Sequence, residues 1–459
     1  MRVHLAKFSR LRSAALISFA VLPVAVHAAQ IITLDDAIGI ALDRNVPLLQ
    51  SGNAAQQSEV AVSEARMQFL PDLSLNSSGT RNYGRYYSSA AGSFIDQTTD
   101  SLNLGASSSV TLFSGLHDIA ALRQAKRGLQ ASRLDLGRAQ ETAIFTVISN
   151  FLTLILQQDQ LQVGRDNLAA EATLEQQIQD YVKAGARASA DLYQQQANVA
   201  SARLSVIQAE NAAELSKVDL LRTLQLDPVQ SYEFRVPPVE GFFSSDTMDL
   251  NELVTQALER RTDLHAEEAR VEALEQGVHV ASSGYWPTVS LAAGYGSSYT
   301  NALPAGLGNQ LDTYRNGLVS VNVSVPLFDR GVTRNAVHRA QLQAQNERIV
   351  LDSARHEVEL QVKGVYLNYQ AAREELTAAQ AQQRTAQLAV QSAQERFKAG
   401  TAILVEVSQE RSLYMQAQIV LVTARYNLAL QSTLIKYYLG QIHKGSEPEA
   451  SLPPNPPLP

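Results

Sequence analysis

Hydrophobic and small polar residues alternate strictly in four short segments of this chain. Valine and leucine occupy every second position of residues 318–328, and similar alternation recurs in 288–295, 102–112 and 73–75. A period of two with an uncharged polar face is typical of a strand in a transmembrane β-barrel. The polar positions predicted to face the lumen of such a barrel are Thr288, Ser290, Ser320, Asn322 and Ser324.

Strands of a soluble β-sandwich alternate in the same way, and three features favour the membrane interpretation. The polar face carries no charge, the strands adjoin long helices, and aromatic residues cluster at the strand ends, as they do at barrel interfaces. Residues 84–100 and 300–315 are rich in turn-forming residues and are predicted to be exposed hairpin loops. The aromatic clusters are Phe69, Tyr285 and Trp286 at one end and Tyr83, Tyr86 and Tyr87 at the other.

Two stretches of about 65 residues, 116–181 and 332–399, contain no proline and hardly a glycine. A helix of that length spans on the order of 100 Å, which is too long for one compact domain, so coiled-coil packing is expected. Glycine turns at Gly185 and Gly400 follow the two stretches, and another helix follows each turn. The predicted apolar face of the helix after the first turn consists of Leu204, Ile207, Leu215 and Val218.

These elements occur twice, about 215 residues apart, which indicates an internal duplication. Pro71 and Pro287 open equivalent strands, and Leu-Phe pairs at Leu112 and Leu327 close them. The first repeat is predicted at 29–227, with a β-hairpin at 72–113 and a helical tip near residue 185. The second repeat is predicted at 249–441, with a β-hairpin at 288–328 and a helical tip near residue 400. A signal peptide at 1–28 precedes the repeats, a linker at 228–248 joins them, and a proline-rich tail at 442–459 follows them.

The first 28 residues have the composition of a cleaved signal peptide. Four basic residues precede or border a mostly apolar stretch at 13–26, and Val26-His27-Ala28 fits the small-residue cleavage pattern. A retained membrane anchor is the alternative, but a bilayer core requires about 20 apolar residues. No later stretch is expected to be apolar enough or long enough to form a transmembrane helix. The chain has no cysteine, which excludes disulfides and lipid attachment at an N-terminal cysteine.

The charge balance and the motifs exclude several functions. Removal of the signal leaves 34 Lys+Arg against 45 Asp+Glu, a net charge near −11, and nucleic-acid binding needs a basic surface. The histidines are dispersed without a pair at metal-ligand spacing, and no nucleotide-binding loop or nucleophile motif occurs. We therefore expect no enzyme activity and no cofactor, metal or nucleic-acid partner.

The number of strands implies an oligomer. Four strands per chain cannot close a barrel, and an open sheet edge cannot face lipid because its backbone groups would be unsatisfied. Two copies would give a small barrel filled with side chains, whereas three would give about twelve strands and a lumen.

In their order and double occurrence, these motifs resemble the outer-membrane efflux protein family typified by TolC. The resemblance covers nearly the whole mature chain. It implies an α+β membrane protein that forms a homotrimer. Four β-strands from each protomer would form a 12-stranded transmembrane β-barrel, and this barrel would continue into a long α-helical coiled-coil barrel in the periplasm. It also implies an exit duct in outer-membrane lipid, which serves a tripartite efflux pump or a type I secretion system. The partners would be a periplasmic adaptor and an inner-membrane transporter of the RND, ABC or MFS type.

The resemblance places a periplasmic gate just after the second glycine turn. Glu406, six residues beyond Gly400, occupies the position of one acidic gate residue, and Gln409 replaces a second carboxylate with an amide. Well-studied members also hold the closed gate with a tyrosine and an arginine. This chain has Phe397 and Ala402 at those positions, so neither the hydroxyl nor the guanidinium is present.

The first repeat keeps an arginine and an acid at corresponding offsets, Arg187 and Asp191. Our hypothesis is that Arg187 supplies part of the contact that closes the gate. We also expect Glu406 to form a selectivity ring, because three carboxylates brought together on a trimer axis favour cations. Solvated helix ends are the simpler interpretation of these residues. The helix-tip residues expected to contact the adaptor are Lys183, Gly185, Lys398 and Gly400.

A non-channel periplasmic scaffold or adaptor is the alternative function, because adaptors also join coiled coils to β structure. They usually carry one helical hairpin inside β-rich domains, whereas this chain has two hairpins and two barrel-like strand pairs. The channel interpretation is therefore favoured.

Overall fold

The computed structural model describes residues 30–88, 92–235, 239–243 and 249–443. The predicted signal peptide, most of the proline-rich tail and part of the linker lie outside the described residues. In chain order the elements are β1 (Gln30–Ile32), α1 (Leu34–Arg44), α2 (Val46–Met67), β2 (Ser74–Asn82), β3 (Arg85–Ser88), β4 (Ser93–Asp96), β5 (Thr99–Phe113), α3 (His117–Lys183), α4 (Ser189–Leu224), β6 (Tyr232–Phe234), α5 (Leu250–Arg260), α6 (Thr262–Ser282), β7 (Thr288–Thr300), α7 (Leu307–Thr313), β8 (Asn316–Ser324), α8 (Val332–Lys398) and α9 (Leu404–Tyr438).

Four antiparallel strands form a sheet in the order β2-β5-β7-β8. Side chains alternate between the two faces of a strand, so the β7–β8 register places all five residues predicted to line a lumen on the same face. Val321 and Val323 lie on the opposite face and are exposed. The pairs on the polar face are Thr288 with Ser324, Ser290 with Asn322, and Ala292 with Ser320.

The last strand is shorter than the sequence pattern predicted. The alternation continues to residue 328, but β8 ends at Ser324. Pro326 lacks the N–H group that a strand residue donates to its neighbour, and this explains why pairing stops before it. The four residues after Ser324 therefore belong to the connection between the sheet and α8.

Both predicted hairpin loops contain regular structure. Residues 84–100 include the small hairpin β3–β4, in which the rings of Tyr87 and Phe94 meet edge-on with centroids 5.5 Å apart. Residues 300–315 include α7. Gln310 is fully buried and fixes this helix, because its amide nitrogen donates to the Thr300 carbonyl oxygen at 2.9 Å and its oxygen accepts from the Thr300 N–H at 2.9 Å.

Two helices of 67 residues each, α3 and α8, form the longest elements of the molecule. Their ends agree with the predicted stretches to within two residues. Each helix is followed by a glycine in the left-handed region, with φ of 74° at Gly185 and 75° at Gly400. The Ala186 N–H donates to the Tyr181 carbonyl at 2.8 Å, and Thr401 repeats this bond at 2.9 Å. This is the Schellman pattern, which glycine adopts without steric strain.

The apolar core lies near the middle of the helices. Phe151 of α3 is its centre, and the Phe234 ring of β6 meets it edge-on at 5.6 Å. Contributions from α1, α4 and α9 complete this cluster. A second cluster around Val362 joins α8 to α5, α6 and α9. Both clusters pack short helices against long ones. The two helical hairpins are therefore held at corresponding points along their lengths.

The expectation that no later segment has the composition of a membrane-spanning helix was wrong. Among the described residues, α3 contains an 18-residue stretch that is long and apolar enough by length and composition. Half of that stretch is buried inside the protein. The apolar residues of α3 around Phe151 pack in the core, which gives them a role as core residues.

Equivalent ion pairs occur at matching positions of the two repeats. Arg133 of α3 pairs with Glu59 of α2 at 2.6 Å, and Arg348 of α8 pairs with Glu275 of α6 at 2.5 Å. Each pair joins a long helix to the shorter helix that precedes the strands. The duplication therefore extends from the order of the elements to individual contacts between them.

Candidate functional site

The tips of the two helical hairpins lie side by side. An apolar cluster, here called the tip cluster, joins α3 to the end of α8 and the start of α9. Its members are Leu174, Ile178, Ala393, Phe397, Ala402, Leu404 and Val407. The structure thus brings together the two turns that the sequence singled out separately.

Phe397 and Ala402 are core residues of this cluster, each about 5% exposed. The guanidinium of Arg187 lies over the Phe397 ring, with its central carbon 4.3 Å from the ring centroid. A cation–π contact of this geometry is attractive and needs no hydroxyl on the ring. The first hairpin is therefore connected to the second through Arg187 and Phe397.

Glu406 is engaged within its own hairpin. Its carboxylate forms an ion pair with Arg396, in the last turn of α8, and about a third of the Glu406 side chain remains exposed. The sequence reasoning missed Arg396, because ten residues and a turn separate the partners and no helical spacing reveals the pair. The charge at this predicted gate residue is thus partly balanced by a neighbouring cation.

The other two predicted gate residues make fewer contacts. Gln409 is exposed on α9, and Asp191 lies in the first turn of α4. In the described part of the chain, no ion pair or side-chain hydrogen bond links Asp191 to Arg187. Within the described residues, Arg187 instead contacts the Phe397 ring of the second hairpin.

The tip lysines are solvated. Lys183 is 65% exposed and lies 3.6 Å from the Asp180 carboxylate, and Lys398 is 60% exposed with Glu395 at 3.0 Å. These contacts join residues three apart on the same helix and contribute little to stability when exposed. Both lysines are accessible to a partner, together with the two glycine turns.

A group of buried polar side chains lies between the hairpins, beside the tip cluster, and the sequence reasoning missed it. It connects α3, α4 and α9 through Glu171, Gln195 and Arg411. Isolated acids, amides and arginines on a helix resemble solvated positions, so only tertiary packing reveals that these are buried. Within the described residues, no group of three or more histidine, cysteine, aspartate or glutamate side chains is placed to hold a metal ion.

A sheet with one apolar and one polar face, joined to two long helical hairpins, is the arrangement expected of an outer-membrane channel with a periplasmic extension. The model of the outer membrane efflux protein family matches residues 37–224 and 253–441, once for each repeat. The chain belongs to this family. It is an outer-membrane efflux channel, the exit duct of an efflux or secretion system, and its family is a transport family.

Individual relatives agree with this assignment. The chain is 26% identical to the pyoverdine export outer membrane protein OpmQ of Pseudomonas putida, over 87% of this chain and 85% of that protein. It is 24% identical to TolC of Escherichia coli, over 83% of this chain and 77% of TolC. The solved structure of VceC from Vibrio cholerae has the same fold, with a TM-score of 0.76 at 18% identity, covering 89% of this chain and 96% of VceC.

Proposed function

We propose that three copies of the chain form one continuous duct, with twelve strands in the outer membrane and six helical hairpins in the periplasm. The observation that carries this proposal is the four-stranded sheet, whose outermost strands β2 and β8 each have one unpaired edge within the described residues. Both edge strands contain nine residues, so β8 of one protomer matches β2 of the next in length. Pairing them satisfies backbone groups that lipid cannot.

The helices support the same assembly. On α4, the predicted apolar face at Leu204, Ile207, Leu215 and Val218 is about half exposed in the single chain. On α8, Leu360, Leu367 and Leu388 are exposed to a similar extent. Apolar stripes along long helices are covered by neighbouring helices in coiled coils. The neighbouring protomer supplies these helices in the proposed trimer.

The gate lies at the hairpin tips in this proposal. The Arg187–Phe397 contact connects the tips within each protomer, and three copies of Glu406 form a ring whose charge Arg396 moderates. Gln409 lies on an exposed position of the same helix, and Asp191 is available to a neighbouring protomer. An acidic ring favours cations over anions.

The duct receives its cargo from partners at its periplasmic end. The exposed tips carry Lys183, Gly185, Lys398 and Gly400, and we assign them to contact with a periplasmic adaptor, which couples the duct to an inner-membrane transporter. Related channels are named for pyoverdine export and for efflux. The cargo that we propose is small molecules or exported polypeptides, conducted passively to the outside. The mature protein resides in the outer membrane and extends into the periplasm.

Fractionation and planar-bilayer recording test the proposal. The duct requires detergent-extracted trimers from the outer membrane that conduct ions across a bilayer. Release of the protein by osmotic shock alone, or trimers without conductance, would contradict it and favour a periplasmic scaffold.

A further inference from the structure

A groove crosses the apolar face of the sheet. The alternation of β7 places Tyr295 and Ser297 on the same face as Val289, opposite the polar residues assigned to the lumen. Tyr295 pairs with Ala106 of β5, which in turn pairs with Leu75 of β2. The groove lies over these three strands and has a volume of about 460 Å³. The side chains that line it include Leu75, Leu104, Ala106, Tyr295, Leu311 and Arg315.

The helix α7 forms one wall of the groove. A loop between two neighbouring strands usually continues beyond their ends, whereas α7 turns back against the sheet. The Ser297 hydroxyl, on the apolar face, donates to the Leu311 carbonyl oxygen at 2.7 Å. The fully buried Gln310 holds the same helix to the backbone of Thr300. These bonds fix α7 over the face that a barrel presents to lipid.

The floor of the groove is formed by a small residue beside a large ring. A Cβ atom added at Gly317 of β8 would lie 3.5 Å from the Tyr295 ring, so the ring leans towards β8. It therefore leaves Ala106 of β5 uncovered. Leu75 and Tyr295 are 85% and 59% exposed on either side. An open channel lined by apolar groups suits a hydrocarbon chain, because burial of apolar surface is favourable.

A cation lies at the rim of this groove. Arg315 immediately precedes β8, and 54% of its side chain is exposed. Its Nε donates to the Asp312 carbonyl oxygen at 2.8 Å, and its Nη2 lies 3.0 Å from the Asp312 carboxylate. Within the described residues, the guanidinium has no hydrogen-bond or ion-pair partner other than Asp312. A guanidinium has five N–H donors and binds phosphate well, so Asp312 orients it and leaves donors for a phosphate.

The groove lies in the half of the sheet that is distant from the helices. The strand β7 begins at Thr288, after α6, and ends at Thr300, where the loop with α7 begins. Tyr295 and Ser297 belong to its second half. Long loops of an outer-membrane barrel lie on the extracellular side, so this half faces the external leaflet. The external leaflet of an outer membrane is rich in lipid A, a glycolipid with several acyl chains and phosphate groups.

We propose that the groove binds lipid A, with an acyl chain over Ala106 and a phosphate at Arg315. The helix α7 is the fixed wall that makes this part of the barrel surface selective among lipids. The inference rests on the proposed barrel, and it adds a specific lipid ligand to the outer face.

Native mass spectrometry of detergent-solubilised trimers, titrated with lipid A, tests the groove. The wild type should bind one lipid A per protomer. Ala106→Phe fills the groove and should weaken binding by about tenfold or more, which corresponds to lost contact with about two methylene groups. Ala293→Phe is the matched control and should bind as the wild type does. It makes the same change on the same face of the sheet, outside the groove.

The phosphate contact is tested separately. Arg315→Gln should weaken lipid A binding by about fivefold, the effect of one arginine near anionic lipid. It should leave the binding of dephosphorylated lipid A unchanged. Arg334→Gln is the control, because it removes an exposed cation in the first turn of α8, at the other end of the sheet. An equal effect of both variants would overturn the contact at Arg315.

A second lipid identifies the ligand. Phosphatidylglycerol carries acyl chains and a phosphate but lacks the sugar units of lipid A. The wild type should bind it at least fivefold more weakly, because lipid A offers more acyl chains and phosphates to the groove and its rim. Equal affinity for the two lipids would overturn the assignment to lipid A.

The outcomes separate the lipid site from the proposed duct. Wild-type trimers that do not conduct would overturn both. Conducting trimers in which Ala106→Phe and Ala293→Phe bind lipid A equally would overturn the lipid site alone. If Ala106→Phe fails to appear as outer-membrane trimer, the comparison of Arg315→Gln with Arg334→Gln decides, since both arginines are exposed.

Discussion

Arg187 of the first hairpin stacks on the ring of Phe397 in the second, with 4.3 Å between the guanidinium carbon and the ring centroid. The contact is possible because both glycine turns end their helices at the same level, and because Phe397 is held by the tip cluster around it. It connects the two hairpins through a buried ring that has no hydroxyl and a half-buried cation.

Loss of the Arg187 guanidinium should make the duct easier to open. A cation–π contact contributes about 0.5–1 kcal/mol at an exposed site and more where it is desolvated, so Arg187→Gln should raise the open probability by at least about two- to fivefold. Single-channel recording measures this directly. Lys183→Gln is the control, because it removes a charge at the same turn without touching a ring, and an equal effect of both variants would contradict the prediction.

The charge at the gate should depend on both members of the Arg396–Glu406 pair. Glu406→Gln should reduce cation preference and divalent-ion block, because it removes the ring of carboxylates. Arg396→Gln should increase cation preference and divalent-ion block, because it removes the cation that pairs with the Glu406 carboxylate. Reversal potentials in a salt gradient give the preference, and an unchanged value for Glu406→Gln would rule out its role in the gate.

Adjacent residues of β8 should tolerate charge very differently. Val321 lies on the apolar face and Asn322 on the polar face, opposite Ser290. Val321→Lys should destabilise the inserted barrel by about 2–4 kcal/mol if it lies near the bilayer midplane, whereas Asn322→Lys should insert normally and reduce cation conductance. The yield of folded trimer in the outer membrane distinguishes the two. Equal loss for both variants would contradict the assignment of the faces.

His265 should stabilise the helical region most at mildly acidic pH. The Nδ1 atom lies 3.0 Å from the Glu268 carboxylate and Nε2 lies 2.9 Å from the Glu259 carbonyl oxygen, so only the protonated ring can donate to both. The Glu268 contact, followed by the Glu259 bond, raises the pKa of His265 above 6.5, and the same contact with His265 lowers the pKa of Glu268 below 4.5.

The sign of the pH dependence follows from these directions. A raised histidine pKa contributes stability that is present below pH 6.5 and is lost as the pH rises through the folded-state value. The destabilisation caused by His265→Gln should therefore be larger at pH 5.5 than at pH 9, as measured by chemical denaturation of the detergent-solubilised trimer. His338→Gln, an exposed position, serves as the control and should show no such difference.

Much of the architecture could be predicted from sequence, because it depends on local periodicity. The ends of α3 and α8 follow from the residues around Gly185 and Gly400, and the faces of β7 and β8 follow from alternation. The helix α7 could not be found in this way, since Gln310 stabilises it through tertiary hydrogen bonds to Thr300. The gate residues remain predictions, and Arg396, the ion-pair partner of Glu406, emerges only when distant segments are brought together.

The equal length of α3 and α8 constrains how this gene can change. An inserted residue would move everything beyond it by about 1.5 Å and turn it by about 100°, so the apolar stripes and the tips of that hairpin would no longer match those of its counterpart. In the proposed trimer, a single insertion would displace three of the six tips and leave an uneven rim for the adaptor. Substitutions should therefore be tolerated along both long helices far more readily than insertions or deletions of any size.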